Sequence, residues 1–222
     1  MYQEVVKEFY ANKNRNLAVP MEAYMRNMFP YLGIKKPLRA KIQREFLKEA
    51  KKSKTIDWDI VFELYSKEER EFQYLSIDYL IATKAYLKKE DIEKIEQLII
   101  TKSWWDTVDA FDALIGDLCK MHKELIDTHI KKYMISDNIW LRRIAIDFQL
   151  AYKEETDTKL FAEIIKANLN TDEFFINKAI GWSLREYSKI NPSWVSNFVK
   201  EHKKQMSNLS IREALKIVNK CK

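Results

Sequence analysis

Apolar residues recur along this chain at spacings of three and four, the period of an amphipathic helix, and they do so in blocks that repeat. The strings Leu38-Arg39-Ala40-Lys41-Ile42, Leu141-Arg142-Arg143-Ile144-Ala145-Ile146 and Ile176-Asn177-Lys178-Ala179-Ile180 open three such blocks with a shared apolar pattern. One small or branched apolar residue per block, taken at Ile42, Ile77, Ala110, Ile146, Ile180 and Leu215, marks intervals of 35, 33, 36, 34 and 35 residues. A unit of that length accommodates two helices of roughly 12 to 15 residues and short turns, and neither helix can bury its stripe alone. The units must therefore stack. The anchors belong to the second helix of each pair, with first helices predicted near residues 56–65, 89–100, 123–134, 157–168 and 192–202.

Punctuation agrees with this division. Pro20 and Pro192 sit where helices are expected to start, Pro30 and Pro37 bracket a loop around Gly33, and Ser136-Asp137-Asn138 separates two helices. With 3 Gly and 4 Pro in 222 residues, the chain has too few turn-formers for a sandwich or barrel. The pattern predicts an all-α protein. Its expected architecture is a HEAT-like α-solenoid of about six helical pairs with a concave groove, one domain over residues 1–222 without a linker.

Two cysteines, Cys119 and Cys221, cannot form a disulfide framework, and three unclustered histidines offer no zinc-site spacing, so a reducing cytoplasm and no metal are expected. No apolar run approaches the roughly 20 residues of a membrane span, and the first eight residues do not read as a signal peptide. Net charge is +6 and unevenly spread: residues 1–54 carry 13 basic and 5 acidic side chains, residues 190–222 carry 7 and 2, and the stretch between is acidic. Such ends suit a polyanion, although lysine-rich solvated helix faces have the same composition.

Three helical faces depart from the simple core pattern. In Ser103-Trp104-Trp105-Asp106-Thr107-Val108-Asp109, the core stripe runs Trp104, Val108, Phe111, Ile115 and Leu118. Trp105, Asp109, Asp112 and Gly116 then share a face expected to be polar, where Trp105 is either a functional ring or a wedge against the next repeat, with Asp109 capping or salt-bridging. On residues 174–189 the stripe is Ile176, Ile180, Ser183, Leu184 and Tyr187, leaving Lys178, Trp182, Arg185 and Lys189 together with no acid among them. Cations interleaved with an aromatic ring suit a nucleic-acid surface, and also describe a rim tryptophan with snorkelling neighbours. Arg143 points away from the stripe Leu141, Ile144, Ala145, Phe148 and Ala151, placed either for a phosphate or for Asp147 one turn on. Cys119 reads as a small core residue, and phosphate-loop, paired-histidine, nucleophile-elbow and kinase signatures are absent from the sequence.

The strings around Trp104-Trp105 and Asp109, Asn138-Ile139-Trp140-Leu141 with Arg143, and Phe174-Phe175-Ile176-Asn177-Lys178-Ala179-Ile180-Gly181-Trp182 with Leu184-Arg185-Glu186-Tyr187 resemble the AlkD-type DNA alkylation repair glycosylases. Their order and separations match over about residues 21–217. The resemblance implies a HEAT-like fold that removes cationic alkylpurines such as 3-methyladenine and 7-methylguanine from duplex DNA, without metal or cofactor and without flipping the base. It assigns catalysis to Trp105, Asp109, Arg143 and Trp182, with Tyr24 lining the cleft. Departures are mild: Arg142 adds a second cation, Ser183 replaces an expected apolar residue, and residues 112–118 match loosely.

An N3- or N7-alkylated purine leaves as a neutral base, so the sugar C1′ becomes cationic in the transition state. Asp109 is expected to stabilise that charge and orient water, Trp105 and Trp182 to embrace the sugar, and Arg143 to hold the flanking phosphate. An unpaired carboxylate opposite DNA phosphates weakens binding, which favours a catalytic role for Asp109. Tyr24, Arg142, Lys178, Arg185 and Lys189 are the expected DNA contacts, and the product is an abasic site in an unbroken strand. The protein is expected to be a cytoplasmic monomer, nucleoid-associated in a prokaryote. Two other readings stay open: a non-catalytic DNA-structure binder on the same scaffold, which has no use for Asp109, and a protein-binding scaffold with no preference for nucleic acid.

Overall fold

The computed structural model describes residues 2–218, and among these every regular element is a helix. The anchor Leu215 therefore falls within it, and Cys221 lies outside the described residues. Packing divides the chain between Leu87 and Lys88 into two compact units.

The first unit holds α1 (Tyr2–Ala11), α2 (Arg15–Tyr24), α3 (Lys36–Lys52), α4 (Trp58–Ser66) and α5 (Arg70–Thr83). Helix α3 packs against both α1 and α5, and α4 backs α5. Pro20 does not open a helix. Asn14 accepts the amide of Leu17 and starts α2 at Arg15, five residues earlier, leaving the proline inside a short helix that loses one backbone hydrogen bond there. Pro37, by contrast, lies in the first turn of α3, where its missing N–H is no loss. The loop between the two is tied down by Glu71, whose buried carboxylate accepts the amides of Leu32, Gly33 and Ile34 at 2.9 to 3.0 Å.

In the second unit the helices alternate as the periodicity predicts: α6 (Asp91–Ile99), α7 (Trp105–Met121), α8 (Lys131–Met134, entered through a π-helical turn from Ile126), α9 (Ile139–Asp147), α10 (Thr158–Ala167), α11 (Phe174–Ser188), α12 (Pro192–His202) and α13 (Asn208–Ala214). Starts are set by side-chain caps: Asn138 on the Trp140 amide, Asp157 on Lys159 and Leu160, Asn191 on Trp194, and Ser207 on Ser210. The second helices α7, α9, α11 and α13 pack in that order, each on the next. Val108, Phe111, Ile115, Leu118, Ile144, Ile176, Ile180 and Leu184 are all inaccessible to solvent, so most of each predicted stripe is core; Trp104 and Tyr187 are half-buried, and Ala151, expected inward, is exposed because α9 ends before it.

Two glycines set how closely this row packs. A methyl group on Gly116 would lie 2.5 Å from the Phe148 carbonyl oxygen at the α7–α9 crossing, and one on Gly181 would lie 2.7 Å from Cβ of Glu213 at α11–α13. Among the described residues no helix is long and apolar enough to cross a membrane. Cys119 is buried, and burial pushes its thiol up to about 12, so it behaves as a small core residue.

Candidate active site

The N-terminal ends of α7, α9 and α11 are held together by aromatic rings. Trp104 and Trp140 each contact Phe175, with centroids 5.0 and 4.9 Å apart, and are 5.8 Å from each other. Each ring comes from the cap or first turn of its helix, so the cluster aligns the three helices end to end. One turn further along, this alignment brings Asp109 of α7 opposite Arg143 of α9.

Their contact is bidentate. Arg143 Nε donates to one Asp109 oxygen at 2.7 Å and Nη2 to the other at 3.0 Å, while Nη1 donates to the Phe175 carbonyl at 2.8 Å. The expected phosphate-holding role of Arg143 does not match this placement: its side chain is 3% exposed, with three N–H groups engaged inside the protein. Nor is Asp109 the unpaired carboxylate that the sequence implied. It keeps 21% of its side-chain surface open while both oxygens are held. Asp147, the alternative partner one turn away on α9, reaches Arg143 only at 3.8 Å.

Electrostatics follow from burial and pairing together. Burial raises the Asp109 carboxyl above its ordinary value, and the hydrogen bonds and charge of Arg143 pull it back. For Arg143, burial opposes the charge, but Asp147 and Asp109 more than restore it. The two guanidinium hydrogen bonds favour the ionised form of Asp109.

Trp182 of α11 lies with its ring 5.9 Å from the Arg143 guanidinium carbon, and it is half-buried. Trp105, the first residue of α7, is also half-buried and stands one turn before Asp109 on the same face. The unit thus gathers Asp109, Arg143 and Trp182, with Trp105 beside them. Tyr24 belongs to the other unit, at the end of α2 with 71% of its surface exposed.

The face around Trp182 meets an acid from another helix as well as Glu186 of its own. Glu213 of α13 accepts from Lys178 at 3.1 Å and from Arg185 at 2.6 Å, and Glu186 pairs with Lys189. Lys178, with Arg185 beyond it, holds the Glu213 carboxyl below its usual range. Gly181 is the reason α13 comes close enough to supply it. Arg142 turns away from Asp109 altogether: its Nε donates to Asn168 at the end of α10, at 2.7 Å.

Two acids are more buried than their helical positions imply: Asp112, and Asp147, the expected alternative partner of Arg143. Asp112, expected on a polar face with Gly116, is 5% exposed because α9 closes over that side of α7, and Asp147 is fully buried. Ser183 donates to Asp147, which explains a hydroxyl where an apolar residue was expected. A usable signal existed in the 34-residue separation of Asp109 and Arg143, one repeat, because equivalent positions of adjacent units face each other.

The family model described as DNA alkylation repair enzyme matches residues 5–218. A solved structure described as a predicted DNA alkylation repair enzyme from Enterococcus faecalis is 35% identical, covers 94% of this chain and 98% of its own, and superposes with a TM-score of 0.85. No curated protein is a match. Since the match runs through both units and spans every residue of the Asp109–Arg143–Trp182 cluster, the chain belongs to the DNA alkylation repair enzyme family.

Proposed function

We propose that this protein is a monofunctional DNA glycosylase that hydrolyses the N-glycosidic bond of cationic N3- or N7-alkylated purines in duplex DNA. The observation that carries this reading is a carboxylate, Asp109, fixed by two guanidinium hydrogen bonds yet still open to solvent, on the face of Trp105 and beside Trp182. Preorganised negative charge of this kind stabilises a sugar that turns cationic as the base departs.

In the reaction the bond between C1′ and the purine N9 breaks, and its electron pair leaves with the purine, which becomes neutral. Water adds to C1′ and gives up a proton, leaving an abasic site. Asp109 faces the developing positive charge and orients the water. The two indole faces hold the sugar, each contact contributing about 0.5 to 2 kcal/mol by analogy with cation–π pairs. Arg143 acts through Asp109, holding the carboxylate in place. The lesion is attacked within the duplex, as the resemblance implies, by a cytoplasmic monomer needing no cofactor.

Methylated duplex incubated with the protein should release 3-methyladenine or 7-methylguanine, resolved by chromatography, and leave alkali-sensitive sites in an intact strand. Tight, salt-sensitive DNA binding with no released base would favour the non-catalytic binder instead.

Lys178, Arg185 and Lys189 contact phosphates without reading bases; Arg142, and in the first unit Tyr24, are further DNA contacts. Glu213 competes with phosphate for the first two. Replacing Glu213 by glutamine keeps the shape of the contact with α11 and removes the charge that holds Lys178 and Arg185, leaving Arg185 only its 3.7 Å contact with Glu186, so duplex affinity should rise by up to about fivefold, the worth of a part-exposed pair of about 1 kcal/mol. The salt dependence should steepen as well. Equal or weaker binding by Glu213→Gln, measured by fluorescence anisotropy at several salt concentrations, would remove Lys178 and Arg185 from the DNA surface.

A further inference from the structure

Behind the Asp109–Arg143 pair lies a second layer of charge with too few donors. One carboxylate oxygen from each of Asp109, Asp112 and Asp147 lies within 4.8 Å of the other two. Arg143 is the cation among them, and its Nε, Nη1 and Nη2 are directed at Asp109 and the Phe175 carbonyl. Ser183 supplies one donor to Asp147 Oδ1. Three buried oxygens remain without a hydrogen-bond partner: Asp147 Oδ2 and both oxygens of Asp112. Asp112 is 5% exposed and Asp147 is 0%.

Three ionised carboxylates against one guanidinium would leave two uncompensated negative charges out of reach of water, a state that protonation relieves far more cheaply than burial sustains. Which acid takes the proton follows from the partners. Asp147 already receives a hydroxyl and lies 3.8 Å from the guanidinium, whereas Asp112 receives nothing. We propose that Asp112 is a positioning residue that is protonated at neutral pH and donates its O–H to Asp147, so that the charge of Arg143 stays committed to Asp109.

A proton there supplies the missing donor and removes one negative charge in a single step. The largest charges acting on Asp112 come from Asp147, Asp109 and Arg143 in that order, that is from α9 and from α7 itself. Burial first, and then the carboxylates of Asp147 and Asp109, push Asp112 well above the usual carboxylate range. Burial also raises Asp147, against the opposing pull of Arg143 and Ser183. A metal ion suits the same place less well, because the guanidinium already provides the positive charge at its edge.

When Asp112 ionises as pH rises, a third carboxylate charge appears beside Arg143 and competes with Asp109 for it. The activity consequence rests on the glycosylase reading, whereas the protonation state does not, and the two are tested separately. Carboxyl carbon NMR of the wild-type protein labelled at aspartate should show a carboxyl still protonated at pH 6.5, and Asp112→Asn should remove that resonance. Aspartates that have all ionised by pH 5 would overturn the proposal, whether or not DNA is cleaved. In single-turnover base release, wild type should decline toward high pH, whereas Asp112→Asn, which keeps a donor toward Asp147 but cannot ionise, should retain the neutral-pH rate without that decline. A decline of the same size in both proteins, or a protonated resonance displaced by Mg²⁺, would also refute it.

Discussion

Asparagine at position 109 is expected to slow release of 7-methylguanine by about 10² to 10³, the loss of roughly 2.7 to 4 kcal/mol typical of one preorganised electrostatic contact, while duplex affinity holds or rises. The side chains are nearly the same shape, so the change is one of charge. Removing it takes away what faces the cationic sugar and also what repels DNA phosphates, and the two effects have opposite signs on rate and binding. An alkylated purine is already inclined to depart, which places the effect toward the lower end of that range. Because Asp109 is also a partner of the buried Arg143, the substitution weakens the fold, and Asp147 at 3.8 Å offsets part of that loss. Single-turnover kinetics at saturating enzyme, run below the variant's melting temperature, isolate the chemical step. An unchanged rate alongside weakened affinity would assign Asp109 to structure and discard the mechanism.

Arg143→Met should give the largest loss of stability of any substitution at the site. Methionine fills much of the volume but leaves Asp109 and Asp147 without their cation and the Phe175 carbonyl without its donor. Breaking a buried pair from one side costs roughly 3 to 5 kcal/mol. For a chain of this size that corresponds to a fall in Tm of about 10 °C. The loss depends on pH in a definite sense. Without the guanidinium, both carboxyls have folded-state values raised above those of the unfolded chain, so the folded form holds the extra protons and its stability falls as pH climbs through the folded values. The Tm difference between Arg143→Met and wild type should therefore be wider at pH 8 than at pH 5. A thermal melt within about 2 °C of wild type at pH 8 would show that the pair contributes little to the fold.

How far the sequence could be read differs between the helices and the site. The 35-residue period, the first helices near 89–100, 157–168 and 192–202, and the buried stripe Val108, Phe111, Ile115 and Leu118 are local properties of amphipathic segments, and the structure has them in those places. Pro20 was misplaced because a cap made by Asn14 outranks a proline as a starting signal when both are near. The unusual faces bearing Trp105 with Asp109, and Trp182 with its cations, were also visible from spacing alone.

Only tertiary structure decided what those faces meet. A helical wheel orients a residue about its own axis and says nothing of the neighbour that closes over it. Arg143 was read toward a phosphate or toward Asp147, yet its partner is Asp109, one repeat away in sequence and adjacent once α7 and α9 pack. Asp112 reads as a surface acid until Gly116 lets the Phe148 carbonyl, and α9 with it, come down onto that side of α7. Glu186 of the same helix reaches Arg185 at 3.7 Å, but the acid that Lys178 and Arg185 share is Glu213, which arrives only because Gly181 admits α13. The sequence by itself determined which segments are helices and which faces are apolar, since these depend on residues within one or two turns. The ionisation and pairing of the site were decided by close approaches between helices, because charge responds to burial and to partners that the chain brings together only by folding.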